Sequence, residues 1–381
     1  MPDVIIVGAG PVGTLLAGEL SRRGVEVALL ERRTEPGMGT RAIGLHAPVL
    51  AALEEGGATD RILARAARVA RGEARSEGRL LGVVRFDRLN ARHPFVATLP
   101  QAETEAALAV GAPLPRRGVA VTGFRPEHDV VHVTADAASE LELAAPLVVM
   151  AGGAGSRGLV YRPGALRRTA YPDRYLMTDA DVPGRADADV AVVHLAPSGV
   201  LESFPLPGGR RRFVVWDAGA RDGADDDAAR LTRLRAALAD RGEGDAVAAA
   251  QSATSFGVGR VVAPRMRRGR IVAIGDAAHE VSPIGGQGMN LGLLDAATLA
   301  PLLTRWLRTG REPEAELAAW ERDRVRSAAW AARLAALNTR LGRPRGPMGH
   351  AVREAALRAA LGAAGPLAAR GYAMGFDAAA R

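Results

Sequence analysis

Three short stretches of the chain carry residue types and spacings suited to chemistry. The first is Gly8, Gly10 and Gly13, in GxGxxG spacing with Pro11 and Val12 between the last two, directly behind an apolar run at 3–7. The first glycine permits a tight turn, the second lets backbone approach a pyrophosphate, and the third lets the following helix pack closely on the strand. That helix directs unpaired N–H groups and its positive dipole end at the phosphates. Glu31 lies 18 residues beyond Gly13, close to where a carboxylate accepts from a ribose hydroxyl. Together these residues point to a dinucleotide.

The second stretch, Gly152, Gly153, Ala154, Gly155, Ser156 and Arg157, is a glycine-rich turn behind an apolar run at 146–151. The third runs from Gly275 and Asp276 through His279 to Ser282, Pro283, Ile284, Gly285, Gly286, Gln287, Gly288, Met289 and Asn290. An aspartate at a strand end can accept two hydrogen bonds from a polyol. The loop behind it offers backbone N–H groups at a helix N-terminus, suited to an electron-rich ring or an oxyanion.

Apolar periodicity supplies the elements that must hold these stretches. Strands are expected at 3–7, 25–30, 146–151 and 270–275. A helix from about 12 to 23 buries Leu15, Leu16 and Leu20 and stops at Gly24. A long helix begins near 290, with Leu291, Leu294, Leu299 and Leu302 as apolar positions. Runs at 190–195, 199–206 and 211–216, separated by Pro and Gly turns, predict an antiparallel sheet. An earlier strand pair is expected at 80–86 and 94–99. A helix is expected at about 227–240, entered through the acidic turn at 222–229, and 313–376 is helical in composition. No internal repeat is present.

Composition narrows the classes. At 381 residues the chain corresponds to roughly two to three domains. Hydrophobic residues at 48% and charged residues at 24% exclude disorder along the whole length. No uncharged apolar run reaches about 18 residues, so no membrane span is expected. The N-terminus lacks a basic region and a cleavage site, so no signal peptide is expected. Cysteine is absent, which excludes a disulfide scaffold, a thiolate zinc site and a cysteine nucleophile, and fits a reducing, cytoplasmic compartment. No His, Asp and Glu cluster has metal-ligand spacing. The net charge of +8 comes from 50 arginines, with no lysine, against 42 acids. These arginines are dispersed, and aromatic residues at 4% are a poor supply of stacking platforms. The charge therefore reads as compositional drift, not as a nucleic-acid surface.

The three stretches, in this order and spacing, resemble the class A flavoprotein monooxygenases of the para-hydroxybenzoate hydroxylase fold over essentially the whole chain. The segment from Gly275 to Ala300 is similar to that family's second flavin motif. The residues from Arg41 through His46 to Leu53, with Gly57 and Asp60, resemble the polyketide and phenol hydroxylase branch, as do LPQAETEAAL at 99–108 and WERDRVR at 320–326. The length is that of compact members without a thioredoxin-like tail.

The resemblance implies an α/β fold: a Rossmann-like FAD-binding domain with an inserted antiparallel-sheet substrate domain and C-terminal helices. FAD-binding parts would fall at 1–70, 101–165 and 261–381, the last with the C-terminal helices, and substrate-domain parts at 71–100 and 166–260. Gly8, Gly10 and Gly13 would cradle the FAD pyrophosphate, with Pro11 and Val12 in the same turn. Glu31 would bind the adenosine ribose, and Arg32 would lie on the adenine side. Arg41 and Gln101 match positions contacting the flavin's phosphates and ribityl chain, and Asp276, behind Gly275, would bind the ribityl or pyrophosphate region. Pro283 and the loop Gly285, Gly286, Gln287 and Gly288 would face the isoalloxazine, with Met289 and Asn290 just beyond. NAD(P)H would be a transient reductant, and molecular oxygen, through a flavin hydroperoxide, would hydroxylate a phenolic or polyketide-like aromatic molecule. The family's middle motif usually carries Asp-Gly, then Ser and an Arg. Here Gly152 and Leu159 stand at the Asp and Arg positions, while Gly153 and Ser156 remain.

A single dinucleotide fingerprint and no cysteine argue against a disulfide reductase. Another flavin oxidation on the same fold (epoxidation, oxidative cleavage or an oxidase step) and a non-catalytic flavin- or ligand-binding protein stay open as alternatives. His46 and His194 are candidates for contact with flavin or substrate, while His279 reads as loop support. Tyr175, Met177, Phe204 and Trp216, with Tyr171, are candidates for an aromatic pocket or for ordinary sheet core.

Overall fold

The run at 3–7 forms the strand Val4–Val7, buried at every residue, in a computed structural model that describes residues 1–37, 42–137, 140–219 and 225–377. Among the described residues the strands make four sheets. In the first, of six strands, Val4–Val7 pairs in parallel with Val27–Glu31 on one side and Leu147–Met150 on the other. Ile271–Ala273 continues it in parallel beyond Leu147–Met150. Strands buried on both faces need continuous apolar runs, which these sequences supply. The helix Pro11–Arg22 follows the first strand, and Gly288–Thr309 packs against it. A Cβ on Gly292 would run into Val12 and Gly275, so a glycine lets this helix bring the third stretch against the first.

The second large sheet has eight strands, largely antiparallel. Val190–Ala196, Gly199–Pro205 and Arg210–Asp217 stand where the alternation placed them. The long strand Thr169–Asp181 and the strand Thr254–Val262 extend the sheet on one side. The hairpin Arg71–Ser76 and Arg79–Arg85 extends it on the other, with Arg71–Ser76 parallel to Val190–Ala196. The expected pairing of 80–86 with 94–99 is corrected here. The partner of Arg79–Arg85 is Arg71–Ser76, across the two-residue turn Glu77-Gly78, and Val96–Thr98 joins Gly44–Leu45 and Ala67–Val69 in a small third sheet. The strand at 71–76 is rich in Arg, Glu and Gly, so its composition hid it. A meander of three strands between 120 and 145 makes the fourth sheet.

The helices Glu314–Leu341 and Pro347–Tyr372 complete the chain, the latter lying against the Arg79–Arg85 strand. Among the described residues no helix is long and apolar enough to cross a membrane.

Candidate active site

A cavity of about 840 Å³ lies between the carboxyl ends of the six-stranded sheet and one face of the eight-stranded sheet. Ligands in open α/β sheets bind at that end of the strands. Gly8 has φ +107°, and a Cβ there would sit 2.6 Å from the Ala151 carbonyl oxygen. Gly10 caps the helix, and its missing Cβ faces open space in the cavity wall. A Cβ on Gly13 would collide with the Gly8 carbonyl, so this glycine serves helix packing and does not line the cavity.

Pro11, Val12, Glu31, Arg32 and Gln101 line the same wall. Glu31 accepts from the Ala9 N–H at 2.9 Å and from the Arg33 N–H at 3.0 Å. Burial opposes its charge, but these two donors and the Arg33 guanidinium hold the carboxyl below the usual range. Oε1 also accepts from Arg33 Nε at 3.1 Å, so it is Oε2 that keeps a second lone pair for a further donor. Arg41 lies outside the described residues.

The third stretch closes the wall from the other side. Gly275, Asp276, Pro283, Gly285, Gly286, Gly288 and Met289 all line the cavity. Two expected lining residues do not. Gln287 turns away, its amide donating to the Gly371 carbonyl at 3.0 Å and so tying the loop to the last helix. Asn290 is fully buried behind the loop, donating to the carbonyls of Gly44 at 2.7 Å and Gly286 at 3.0 Å. Its Oδ1 accepts the His46 backbone N–H at 2.9 Å. His46 itself lines the cavity beside Gly286, and among the described residues neither ring nitrogen has a hydrogen-bond partner. Burial pulls this imidazole down to about 4, against a smaller opposing effect of the Gly286 backbone.

The middle stretch also lines the cavity through Gly152, Gly153, Gly155, Ser156 and Leu159. A Cβ on Gly152 would lie 2.9 Å from both Cβ and Oγ of Ser156, whose hydroxyl donates to the Gly153 carbonyl at 2.7 Å. The turn is therefore closed over the place where an aspartate would begin. Arg157, a residue the sequence did not single out for a role, reaches across to the third stretch. It donates to the Asp276 carbonyl at 2.6 Å and pairs with Glu280 at 2.8 Å.

Strand alternation builds the other half. On Gly199–Pro205, Val200, Glu202 and Phe204 face the cavity, while Leu201 packs into the opposite core. Met177, Val193 and Val214 face it from neighbouring strands. Of the expected pocket residues, Met177 and Phe204 line the cavity and Tyr175 and Trp216 do not. Tyr175 is completely buried one step along the same face, stacked on Phe256 at 5.8 Å. Trp216 is drawn off by Asp173, to which its indole N–H donates at 3.0 Å. His194 is also corrected. On Val190–Ala196 the lining residues are Ala191, Val193 and Leu195, so alternation turns His194 to the far face, where it meets Glu243 at 3.0 Å. Glu202 was missed. The same parity that removes His194 would have exposed it, had the strand register been known.

The residues fit FAD on these observations. One end offers an open glycine cradle at a helix N-terminus and a carboxylate at the neighbouring strand tip. The middle offers a glycine loop beside a buried imidazole with unpartnered nitrogens, and the other end is apolar.

A family model described as an FAD binding domain matches residues 1–335. A 6-methylpretetramide 4-monooxygenase of Streptomyces rimosus is 36% identical over 318 residues, 78% of this chain and 55% of the relative. A rifampicin monooxygenase of Streptomyces venezuelae is 34% identical over 316 residues, 78% of this chain and 63% of the relative. The chain thus spans 55% to 63% of the length of these two curated relatives. The crystal structure of a p-nitrophenol 4-monooxygenase from Pseudomonas putida superposes with a TM-score of 0.84, covering 99% of this chain and 97% of that one at 23% identity, a likeness of fold.

Proposed function

The chain belongs to the FAD-binding domain family, and from that premise we propose that it is a FAD-dependent monooxygenase hydroxylating a phenolic or polyketide-like aromatic molecule, with NAD(P)H as reductant. One observation carries this: a single cavity joins the Gly10 and Glu31 end to an apolar chamber, with the loop from Pro283 to Gly286 between them. Bound FAD would supply the redox and oxygen chemistry. Gly10 would admit the pyrophosphate, Glu31 would accept from the ribose, and Asp276 would take the polyol. The N–H groups of the loop at the start of Gly288–Thr309 would favour negative charge on the reduced ring. Met177, Val193, Phe204 and Val214 would hold an aromatic substrate and exclude water.

A cytoplasmic location, where NAD(P)H is supplied, belongs to the same proposal. So does the division of the chain at 70, 100, 165 and 260.

The test is direct. The purified chain is incubated with FAD and desalted, and its visible spectrum is recorded. NADH and NADPH oxidation are then followed across a panel of phenols and polyketide aromatics, with product mass. Bound flavin, substrate-stimulated oxidation and a product heavier by one oxygen are expected. Colourless protein, or flavin that neither nicotinamide reduces, overturns the reading. The closed turn at Gly152 favours one second reading, a flavin oxidation that draws on no external nicotinamide. Flavin that is reduced by the aromatic substrate itself would select it.

A further inference from the structure

Glu202 is a carboxyl group set among the apolar residues of one half of the cavity. Glu202 is 7% exposed, and its ladder neighbours Val193 and Val214 both line the cavity. Among the described residues its carboxyl has no hydrogen-bond or ion-pair partner. The charged groups near it are already engaged. Arg212 is bound by Asp179 at 2.7 and 2.8 Å, and Glu73 by Arg71 and Arg75. The Tyr372 hydroxyl donates to Asn338 at 2.8 Å. Among the described residues no cation or N–H stabilises an anion here, and burial pushes the carboxyl up to about 8.

We propose that Glu202 anchors the substrate as a neutral carboxylic acid, donating its O–H in a hydrogen bond to a carbonyl oxygen carried by the aromatic ring system. This rests on the monooxygenase reading, because it takes the apolar chamber as the substrate's place. A buried O–H without an acceptor is costly, and among the described residues none accepts this one. The acceptor must come with whatever fills the chamber. A neutral acid held in an apolar site is a strong donor to a carbonyl. Glu202 then selects oxygenated rings over plain hydrocarbon rings of the same shape.

The groups around it keep the pH dependence readable. Burial pushes Tyr175 above its usual range and Tyr372 up to about 12. Glu73 is held low, its burial outweighed by Arg75 and Arg71, and His46 across the cavity lies at about 4. Between pH 6.5 and 9.5 Glu202 is therefore the group facing this chamber that loses its proton.

The experiment uses the FAD-loaded full chain and two probes of nearly equal shape, 1-acetonaphthone and 1-ethylnaphthalene, titrated against flavin absorbance and tryptophan fluorescence. The wild type should prefer the ketone about tenfold at pH 6.5, and the preference should vanish by pH 9.5. Glu202→Gln keeps an N–H donor and should keep the preference at both pH values. Glu202→Leu should lack it at both. No preference in the wild type, a preference that grows with pH, or a Gln variant that behaves like the Leu variant overturns the proposal. The same spectra report flavin content. A wild type without flavin removes the monooxygenase reading and this inference together, whereas a flavin-replete wild type indifferent to the ketone removes only the role of Glu202.

Discussion

The Gly275 backbone N–H donates to the Asp295 carboxylate at 3.0 Å, so the turn of the third stretch is held from inside the helix that follows it. The same carboxylate binds His279 at 2.6 Å and Arg324 at 2.7 Å, and Arg324 pairs in turn with Asp377 at 2.6 Å. All these side chains are almost wholly buried. The cluster lies behind the cavity wall and locks the loop that carries Asp276.

Asp295→Ala is expected to destabilise the fold by about 3 kcal/mol, since removing one member of a buried pair strands its partner and Asp377 only partly compensates Arg324. Burial opposes the charge on Asp295, but His279 and Arg324 bring its carboxyl down to about 2. A depressed carboxyl contributes stability above its unfolded value near 3.9, and this is lost as pH falls toward 2. Urea unfolding of wild type and variant at pH 7 and pH 2.5 measures both effects. A variant as stable as wild type at pH 7 would contradict the assignment.

His46 acts in a different window. Its folded-state value of about 4 lies below the ordinary 6.5, so the unfolded chain binds the extra proton between them. Stability should fall as pH drops from 6.5 to 4, by up to about 3 kcal/mol, and His46 should add nothing further below that. His46→Leu should flatten this part of the pH–stability curve. An unchanged slope in that variant would show that the imidazole is not held neutral.

Gly10→Val separates binding from folding. The added side chain enters open space in the cavity, at a backbone conformation that valine adopts readily. Its melting temperature without ligand should stay within a few degrees of wild type, the small loss coming from valine's poorer N-cap, while FAD affinity collapses because the cradle is filled. Gly13→Ala should do the reverse first, lowering the melting temperature by driving a methyl into the Gly8 carbonyl. Equal FAD affinity for Gly10→Val and wild type would take Gly10 out of the site.

Arg157→Ala should change stability by less than about 1 kcal/mol, as its pair with Glu280 is partly exposed. FAD affinity should nevertheless drop, because the clasp between the middle turn and the Asp276 backbone is released. Arg157→Lys should recover little, since one ammonium cannot bridge the Asp276 carbonyl and Glu280 as a guanidinium does. Isothermal titration with FAD decides this, and wild-type affinity in Arg157→Ala would make the clasp incidental.

Much of the cavity end proposed to hold the cofactor was legible from residues alone. Gly8, Gly10 and Gly13 act within one turn, and a helix cap or a positive φ depends on neighbours a few residues away. The apolar runs of the parallel sheet were legible for the same reason. Glu31 and the loop from Pro283 to Gly286 followed, because each sits at the end of such a strand or at the start of a helix.

Tertiary structure alone decided which side chains enter the apolar chamber. His194 and Glu202 both lie on alternating strands, and a shift of one residue exchanges the cavity face for the far face. That parity is set by pairing partners many residues away, with Val193 opposite Glu202 and Glu202 opposite Val214. The same holds for Arg157, which meets Asp276 across 119 residues of chain. The amino-acid sequence by itself determined the local geometry of the Gly10 and Glu31 end, because short-range sterics and hydrogen bonding settle it. The apolar chamber and the placing of Glu202 in it were left to the assembled sheets, since only their register says which way a side chain points.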